Sequence, residues 1–469
     1  GEDNEYYLHR DINQEYLFAG SIFMYSYNNA SFYNYNTIIY SHNMRDGSMF
    51  ARLKEFSNEA TLRQCPYFWI LTLDADYLYK ICSIHQASSG SDTFTVRFAD
   101  YEDPLDVIHY TLEGNLSYTG LLFIPSRIPY NYYSKDYEAG LQLYSKSVFI
   151  MDHCKALLPD YFHFVKGLID SDDVSLNISR EMLQQDAQLQ SLAKSVTRKI
   201  RNGLASMLVK DREKYEKMFR NFGYSLKYGA YQDFGTHKDD VVDLLLFYSS
   251  HEDRYVTLKE YVERMPEDQK EIYYVSGENV EKIDKLPQTE KVRDKGYEIL
   301  YLTDEVDEFA LQVMMNYSEK AFKSISQGDL DLDSEEEKKE REKTAEENRD
   351  LLSSLKDALG DKVSDVRISS RLKSHPVCLV AEEGVSLEME KVFNAMPDSP
   401  NLKAHKVLEI NSTHPIFEAL KKIHAAHPEE IADFSDLLYD QALLIEGFSI
   451  EDPIAFSNKL CDLMIKASE

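Results

Sequence analysis

Two short apolar runs that flank a mostly polar segment constrain the fold of this chain most strongly. Ile272-Tyr-Tyr-Val275 is rich in β-formers and is closed by Ser276-Gly277, which is typical of a strand. The polar segment ends at Gly296, a residue type that often follows a helix C-terminus. The second run, Glu298-Ile-Leu-Tyr-Leu302, is typical of a buried strand. The order strand, helix, strand predicts a βαβ crossover and a mostly parallel sheet.

Other periodic segments predict further strands and helices around this unit. Leu121-Leu-Phe-Ile124 is expected to be a strand stopped by Pro125, and Ser147–Met151 another. Helices are expected over Asp239–Tyr248 and Val256–Met265, the second opened by Thr257. A longer helix is predicted by apolar residues that recur at three- and four-residue steps: Leu189, Leu192, Val196, Ile200, Leu204 and Leu208.

The patterns together predict an α/β (α+β) fold with two α/β units joined by a helical segment, then a mixed α/β region that ends in amphipathic helices. The expected boundaries are 1–225 for the large α/β part with its helical connector, 226–328 for the small α/β part, 329–350 for a charged linker and helix start, and 351–469 for the last domain. Residues 1–95 are atypical, because Tyr, Asn and Ser crowd there while Lys is scarce.

Composition excludes several classes of function. The formal charge of −29 repels nucleic acid and anionic membranes, so neither is expected as a partner. The five cysteines form no Cys-x-x-Cys pair and no grouping with zinc-ligand spacing, which predicts free thiols, a reducing cytoplasmic location and no metal site. The single tryptophan, Trp69, is by its type more often a core residue than a ligand contact.

The segment Lys166–Gln185 carries the one pattern with a defined chemistry. An apolar run gives way to Asp and Ser residues, and Arg180 then stands where a helix is predicted to begin. Asn177 or Ser179 capping the helix, with Arg180 as a surface residue, is one interpretation. The other is a phosphate site, because free backbone N–H groups of a helix N-terminus and a guanidinium both attract that anion.

Three apolar stripes near the end of the chain have two interpretations each. The first, Met389, Val392, Phe393 and Met396, is either core or an adaptable binding surface. The tail carries two amphipathic helices, the second opened by Asp452 as N-cap and Pro453 at N1. They present a dimer interface or pack on their own domain. Their apolar residues are Phe434, Leu437, Leu438, Ala442 and Ile445 on one, and Phe456, Leu460, Leu463 and Met464 on the other.

Long ordered runs resemble the ninety-kilodalton heat-shock protein family, most closely its bacterial form, over about residues 96–465. The runs that carry this resemblance are Tyr101-Glu-Asp-Pro-Leu, Leu121-Leu-Phe-Ile-Pro-Ser-Arg-Ile-Pro129, Gly140-Leu-Gln-Leu-Tyr-Ser, Val148-Phe-Ile-Met-Asp152, Leu158-Pro-Asp-Tyr-Phe-His-Phe-Val-Lys-Gly-Leu-Ile-Asp-Ser171, Leu176-Asn-Ile-Ser-Arg-Glu-Met-Leu-Gln184, Tyr273-Tyr-Val-Ser-Gly, Lys295-Gly-Tyr-Glu-Ile-Leu-Tyr, Asp307-Glu-Phe and Tyr439-Asp-Gln-Ala-Leu-Leu. The resemblance implies the middle and C-terminal dimerisation domains of a chaperone.

The resemblance also implies a division of labour in ATP hydrolysis. In the family, ATP and Mg²⁺ bind an N-terminal domain that is not expected in this chain. Arg180 matches the middle-domain arginine that senses the γ-phosphate, with Gln184 as its helper and with Asn177 and Ser179 shaping the loop. A permanently charged planar fork suits that role. The chain alone is therefore expected to have negligible ATPase activity.

The expected partners are a second copy of the chain and partly folded client proteins. The resemblance assigns Met389, Val392, Phe393 and Met396 to a client-binding surface, with Trp69 as a weak further candidate, and assigns the last two helices to the dimer interface. The sequence ends without Glu-Glu-Val-Asp, so co-chaperones that bind an acidic tail are not expected. The alternative is a non-enzymatic dimeric scaffold for protein interactions, which would have no use for a phosphate-matched arginine.

Overall fold

A computed structural model describes residues 6–11, 13–24, 37–65, 67–71, 76–81, 104–114, 117–135, 137–174, 187–395 and 402–468. The chain divides into two compact units, Gly1–Phe222 and Gly223–Glu469. The α/β fold class predicted from the sequence is confirmed.

The helices and strands among these residues are numbered in chain order. The α-helices are α1 (Glu59–Gln64), α2 (Ala187–Lys210), α3 (Arg212–Gly235), α4 (Lys238–Val241), α5 (Leu258–Arg264), α6 (Val280–Asp284), α7 (Glu290–Asp294), α8 (Asp307–Met314), α9 (Glu335–Glu347), α10 (Arg349–Leu359), α11 (Leu387–Ala395), α12 (Pro415–Ala426), α13 (Ile431–Ile445) and α14 (Pro453–Lys466). The strands are β1 (Phe23–Met24), β2 (Ile39–Tyr40), β3 (Tyr67–Leu71), β4 (Asp76–Lys80), β5 (Pro104–Leu112), β6 (Tyr118–Pro125), β7 (Leu141–Ser145), β8 (Val148–Cys154), β9 (Lys166–Ser171), β10 (Leu246–Ser249), β11 (Tyr255–Thr257), β12 (Ile272–Ser276), β13 (Ile299–Leu302), β14 (Asn316–Tyr317), β15 (Lys320–Ser324), β16 (Asp365–Ile368), β17 (Val377–Ala381) and β18 (Lys406–Ile410).

The first unit is built on a five-stranded sheet in the order β5-β6-β9-β7-β8. The strands predicted near residues 121–124 and 147–151 are confirmed as β6 and β8. The apolar stripe predicted for residues 189–208 is confirmed on α2, where its first five members are buried and Leu208 is half-buried. Helix α2 is tied to the sheet by Tyr118 of β6, whose hydroxyl lies 2.8 Å from Ser195 Oγ.

The second unit contains the predicted βαβ crossover. Strands β12 and β13 pair in parallel within a six-stranded sheet of order β11-β10-β13-β12-β15-β14. Helix α7 ends as predicted, because Gly296 adopts φ +72° and its N–H donates to Arg293 O at 2.8 Å. The next N–H, that of Tyr297, donates to Val292 O at 3.1 Å, which completes a Schellman motif.

The helix predicted over Asp239–Tyr248 is only partly correct. The helical part stops at Leu244, and Leu246–Ser249 is strand β10. Strand β10 pairs with both β11 and β13 and is largely buried, so sheet packing decides its conformation. The prediction for the next helix is confirmed, since Thr257 caps α5 in a capping box with Glu260.

A three-stranded sheet, β16-β18-β17, forms the rest of the second unit together with α10 to α13. The charged segment 329–350 contains α9, whose residues are all described and none of which is buried. At the centre, Arg371 is fully buried and its Nε lies 3.0 Å from Glu409 Oε2. The Arg371 guanidinium also donates to the carbonyls of Ile325 and Gly328, so it joins the three-stranded sheet to the segment after β15.

We predict that Arg371→Met lowers the free energy of unfolding by about 3 kcal/mol, because buried Glu409 would keep only the partly exposed Arg367 as a charged partner. Urea denaturation monitored by circular dichroism measures the loss. Lys285→Met breaks an exposed pair with Glu281 and is the control, expected to leave stability almost unchanged. Equal effects of the two substitutions would contradict the prediction, whereas recovery in Arg371→Met/Glu409→Leu would support it.

Candidate functional site

The predicted phosphate-sensing residues Asn177, Ser179, Arg180 and Gln184 lie outside the described residues. Strand β9 and the segment up to Val174 precede them, and α2 follows them from Ala187. Among the described residues, no group of three or more His, Cys, Asp or Glu side chains is placed to hold a metal ion.

The stripe predicted on α11 is mostly core. Met389 and Val392 are each only 6% exposed, so neither belongs to an exposed client-binding surface, and that assignment is corrected. Met389 is covered because its Sδ lies 3.5 Å from Gln312 Nε2 of α8. Phe393 is half-buried, and Met396 lies outside the described residues.

Phe393 instead ends a row of aromatic rings that the sequence did not single out. Its ring meets Phe309 of α8 edge-on with centroids 5.7 Å apart, and Phe309 meets Tyr231 of α3 in the same way at 5.7 Å. Tyr231 is in turn 6.3 Å from Tyr228. We call Tyr228, Tyr231, Phe309 and Phe393 the aromatic strip. Tyr228 and Tyr231 are 41% and 40% exposed, so the strip opens to solvent at the α3 end.

A buried ion cluster fixes the α3 end of the strip on α8. Lys227, beside Tyr228 in the chain, is 3% exposed, and its Nζ lies 2.7 Å from both Asp304 Oδ2 and Asp307 Oδ1. Burial alone would lower the pKa of Lys227, but the two carboxylates outweigh it and raise the pKa. The ammonium group therefore stays charged and holds the start of α8 against α3.

The backbone after Tyr231 depends on a glycine. Regular helical geometry ends there, and Gly235 adopts φ +76° with Val313 Cγ1 of α8 only 2.4 Å from the place that a Cβ would occupy. A side chain at position 235 would thus push α3 away from α8. Phe234 is fully exposed just before this contact.

Glu308, the residue before Phe309 in the chain, is almost fully buried. Its Oε2 accepts a hydrogen bond from Ser386 Oγ at 2.7 Å. Burial raises the pKa of Glu308 to about 7, and the Ser386 hydrogen bond only partly opposes this. Folding therefore favours the protonated carboxyl more than the unfolded chain does.

Two of the residues predicted for the dimer interface are core instead. Leu438 (6% exposed) and Ala442 (0%) of α13 pack in the core with α10 and the three-stranded sheet, and their assignment is corrected. Phe434, Leu437 and Ile445 are half-buried. All 14 residues of α14 are described and none is buried. On α14, Phe456 and Leu463 are half-buried, while Leu460 and Met464 are exposed together with Ile454 and Ile465.

Trp69 is not the core residue that its type suggests. It is 60% exposed on β3, which pairs only with β4 among the described strands. Its neighbours Tyr67 and Phe68 are also exposed. A two-stranded ribbon has too little surface to cover a tryptophan, so the side chain remains in solvent.

The tyrosines of the aromatic strip were not predicted as functional residues, but one feature of the sequence points to them. Tyr224, Tyr228 and Tyr231 recur at helical spacing, which places them on one face of α3. That spacing does not distinguish a buried face from an exposed one, so only the structure identifies the strip.

Comparison with known proteins places the chain in a family. A model described as "Hsp90 protein" matches residues 91–469, so the chain belongs to the Hsp90 family. A relative named "Chaperone protein HtpG" from Clostridium botulinum (strain Langeland) is 55% identical over 379 residues, which are 81% of this chain and 60% of that protein. Proteins of the same name from Bacillus subtilis (strain 168) and Clostridium perfringens (strain ATCC 13124) are 53% and 56% identical over 78% of this chain. The chain spans about three-fifths of the length of these relatives.

No helix among the described residues is both long and apolar enough to cross a membrane.

We predict that Glu308→Gln makes the protein less sensitive to pH. In the folded state the pKa of Glu308 is about 7, above its ordinary value of 4.5, so folding favours the protonated form. The stability that the protonated Glu308 carboxyl contributes is complete below pH 4.5 and is lost as the pH rises to about 7. The stability of the variant minus that of the parent should therefore rise by about 2 kcal/mol from pH 5 to pH 8. Urea denaturation at each pH measures it, and a difference that stays constant would refute the prediction.

Proposed function

We propose that this chain is the client-binding and dimerisation part of an ATP-dependent molecular chaperone. Relatives at 53–56% identity are named chaperones, and the chain shares their family. The observation that carries the proposal is the aromatic strip, in which Tyr228 and Tyr231 expose about two-fifths of their surface on a fixed support.

The strip has the chemistry that partly folded proteins require. Such proteins expose apolar side chains that a native protein buries, and hydrophobic contact has no required direction, so one surface can accept many sequences. An aromatic ring offers a large contact area with few rotatable bonds, which keeps the entropic cost of binding low. Of the predicted stripe, Phe393 remains in this proposal, and Met396, which lies outside the described residues, stays a prediction. Trp69 is left out because it precedes the family match, which starts at residue 91.

We predict that Tyr228→Ser/Tyr231→Ser weakens binding of a fluorescent, chemically reduced protein that cannot refold by about tenfold, because two ring contacts are lost. Fluorescence anisotropy measures the affinity. The matched control is Tyr130→Ser/Tyr133→Ser, at positions 93% and 68% exposed in the first unit, which should bind as the parent does. Equal losses in both variants would mean that any exposed tyrosine suffices and would contradict the strip as the binding surface.

We propose that α14 completes a dimer interface with a second copy of the chain. Exposed apolar side chains dominate its outer face, and a helix with no buried residue contributes little to the stability of one protomer. Lys459 holds α14 on α13 through Asp433 and Asp436 at 3.2 Å and 2.7 Å, so polar contacts attach the helix while its apolar face stays available. Phe434, Leu437, Ile445, Phe456 and Leu463 are half-buried and would be covered further on association.

We predict that Leu460→Glu/Met464→Glu converts the dimer to a monomer and raises the dissociation constant at least 1,000-fold, roughly the cost of burying two unpaired carboxylates. Analytical ultracentrifugation across protein concentrations measures the equilibrium. Val209→Glu, at a position 85% exposed on α2, adds a similar charge elsewhere and should leave the dimer intact. A parent protein that stays monomeric at tens of micromolar would refute the proposed interface.

ATP turnover would require the remaining part of the protein. In this proposal, ATP and Mg²⁺ are held by an N-terminal domain, while Arg180 reaches the γ-phosphate with support from Gln184 and a loop shaped by Asn177 and Ser179. A fixed cation stabilises charge on a transferring phosphoryl group, and supplying it from another domain couples hydrolysis to domain closure. A cytoplasmic location fits the four described cysteines, which are all free thiols.

A further inference from the structure

Helix α3 presents three partly exposed tyrosines in one row. Tyr224, Tyr228 and Tyr231 are 44%, 41% and 40% exposed, and steps of four and three residues place them on one face of the helix. The helix is regular as far as Tyr231, since its non-helical backbone begins at Gln232. We call these three residues the tyrosine row. The row is about 10 Å long, two turns of the helix, and leads into the aromatic strip.

The tyrosine row has the spacing of a contact seam between two packed helices. Steps that alternate between three and four residues average 3.5, which suits a second helix crossing α3 at about 20°. Phe309 of α8 and Phe393 of α11 continue from Tyr231 through two ring contacts of 5.7 Å each. These two rings would therefore lie against the side of a helix that packs on the row.

The surface offers a bound segment side chains rather than backbone groups. The row and the strip lie on α3, α8 and α11. Away from its ends, a helix pairs its N–H and C=O groups internally. Unlike the edge of a sheet, these helices give an extended segment no backbone partners. A segment that arrives as a helix needs none, because its own backbone is already paired and its apolar residues form one stripe.

The surface beside the aromatic strip is acidic. Asp304 and Glu305 are exposed just ahead of α8, and Asp304 reaches α3 through its pair with Lys227. Asp233, two residues after Tyr231, is also exposed. Lys227 is buried, so its charge is not presented to solvent. Carboxylates in these positions favour a ligand that carries lysine or arginine beside its apolar residues.

We infer that the aromatic strip, extended by Tyr224, binds amphipathic helical segments that carry basic residues beside their apolar stripe. The inference rests on the proposed function and names the kind of client segment that the strip accepts. A partly folded protein exposes such a stripe wherever the domain that would cover it has not formed. Because an isolated helix is only marginally stable in water, the segment gains helical structure when it binds.

The test compares two fluorescent peptides of about 18 residues with the same content of leucine, lysine and alanine. In the first, the leucines follow the helical spacing i, i+3, i+4 and i+7, and in the second they alternate with polar residues as in a strand. Fluorescence anisotropy with the full chain should show at least about tenfold tighter binding of the first peptide. Circular dichroism of that mixture should show more helix than the sum of its components.

Two substitutions test the contacts that the inference adds. Tyr224→Ser should weaken binding of the helical peptide about threefold, because one ring at the end of the seam is lost, and leave the alternating peptide unaffected. Glu305→Lys should weaken the same peptide about threefold and strengthen a version with glutamate in place of lysine. Both positions are exposed, and thermal denaturation checks that each variant is folded. Tyr130→Ser, at an exposed position in the first unit, is the control and should bind both peptides as the parent does.

The outcomes separate this inference from the proposed function. Equal affinities for the helical and alternating peptides, both reduced in Tyr228→Ser/Tyr231→Ser, would overturn the inference and leave the strip as a client surface. A helical preference that persists unchanged in that double variant would also overturn the inference, because the helix would then bind elsewhere. If the double variant binds a chemically reduced, unfolded protein as tightly as the parent does, the proposed function fails, and the inference fails with it.

Discussion

The buried ion cluster of Lys227 with Asp304 and Asp307 is the interaction on which the candidate site depends. Lys227 belongs to α3, Asp307 is the first residue of α8 and Asp304 lies just before α8, with 2.7 Å between the ammonium and each carboxylate. A charge that is 3% exposed stays ionised only while its partners remain in place. The cluster therefore fixes α3 on α8 more specifically than apolar packing alone, because separating the helices would leave charges buried without partners.

The strip exposes aromatic surface because of this arrangement. Lys227 faces inward, and Tyr228, the next residue, is rotated about 100° around α3 from it, while Tyr231 lies one helical turn beyond Lys227; both tyrosine rings remain partly exposed. Gly235 allows α3 to end in close contact with Val313, and Phe309 and Phe393 continue the strip across α8 and α11. A rigid apolar surface of this kind loses little entropy when it binds.

The sequence predicted elements where local and tertiary preferences agree. The βαβ unit was recoverable because its strands are buried runs and because Gly296 ends α7 in a Schellman motif. The helix predicted through Tyr248 failed because a short apolar run fits a strand or a helix equally well, and only pairing with β11 and β13 decides it.

Exposure was the property that the sequence could not predict. Met389 and Ala442 lie on helices with the predicted spacing, yet both face a core, whereas Trp69 is in solvent. Periodicity shows which residues share a face of a helix, and the neighbours that cover that face are set by distant parts of the chain. Leu460 and Met464, which are predicted for a dimer interface, are exposed because α14 contributes no residue to the core of the second unit.

The measurement that tests the central claim most directly is site-specific photocrosslinking. A benzoylphenylalanine in place of Tyr231 samples the strip, and one in place of Tyr130 samples an exposed tyrosine position elsewhere. The account predicts crosslinks from position 231 to an unfolded protein, few to the native form of the same protein, and few from position 130. Equal crosslinking from both positions, or equal capture of the native and unfolded forms at position 231, would contradict a client-binding strip.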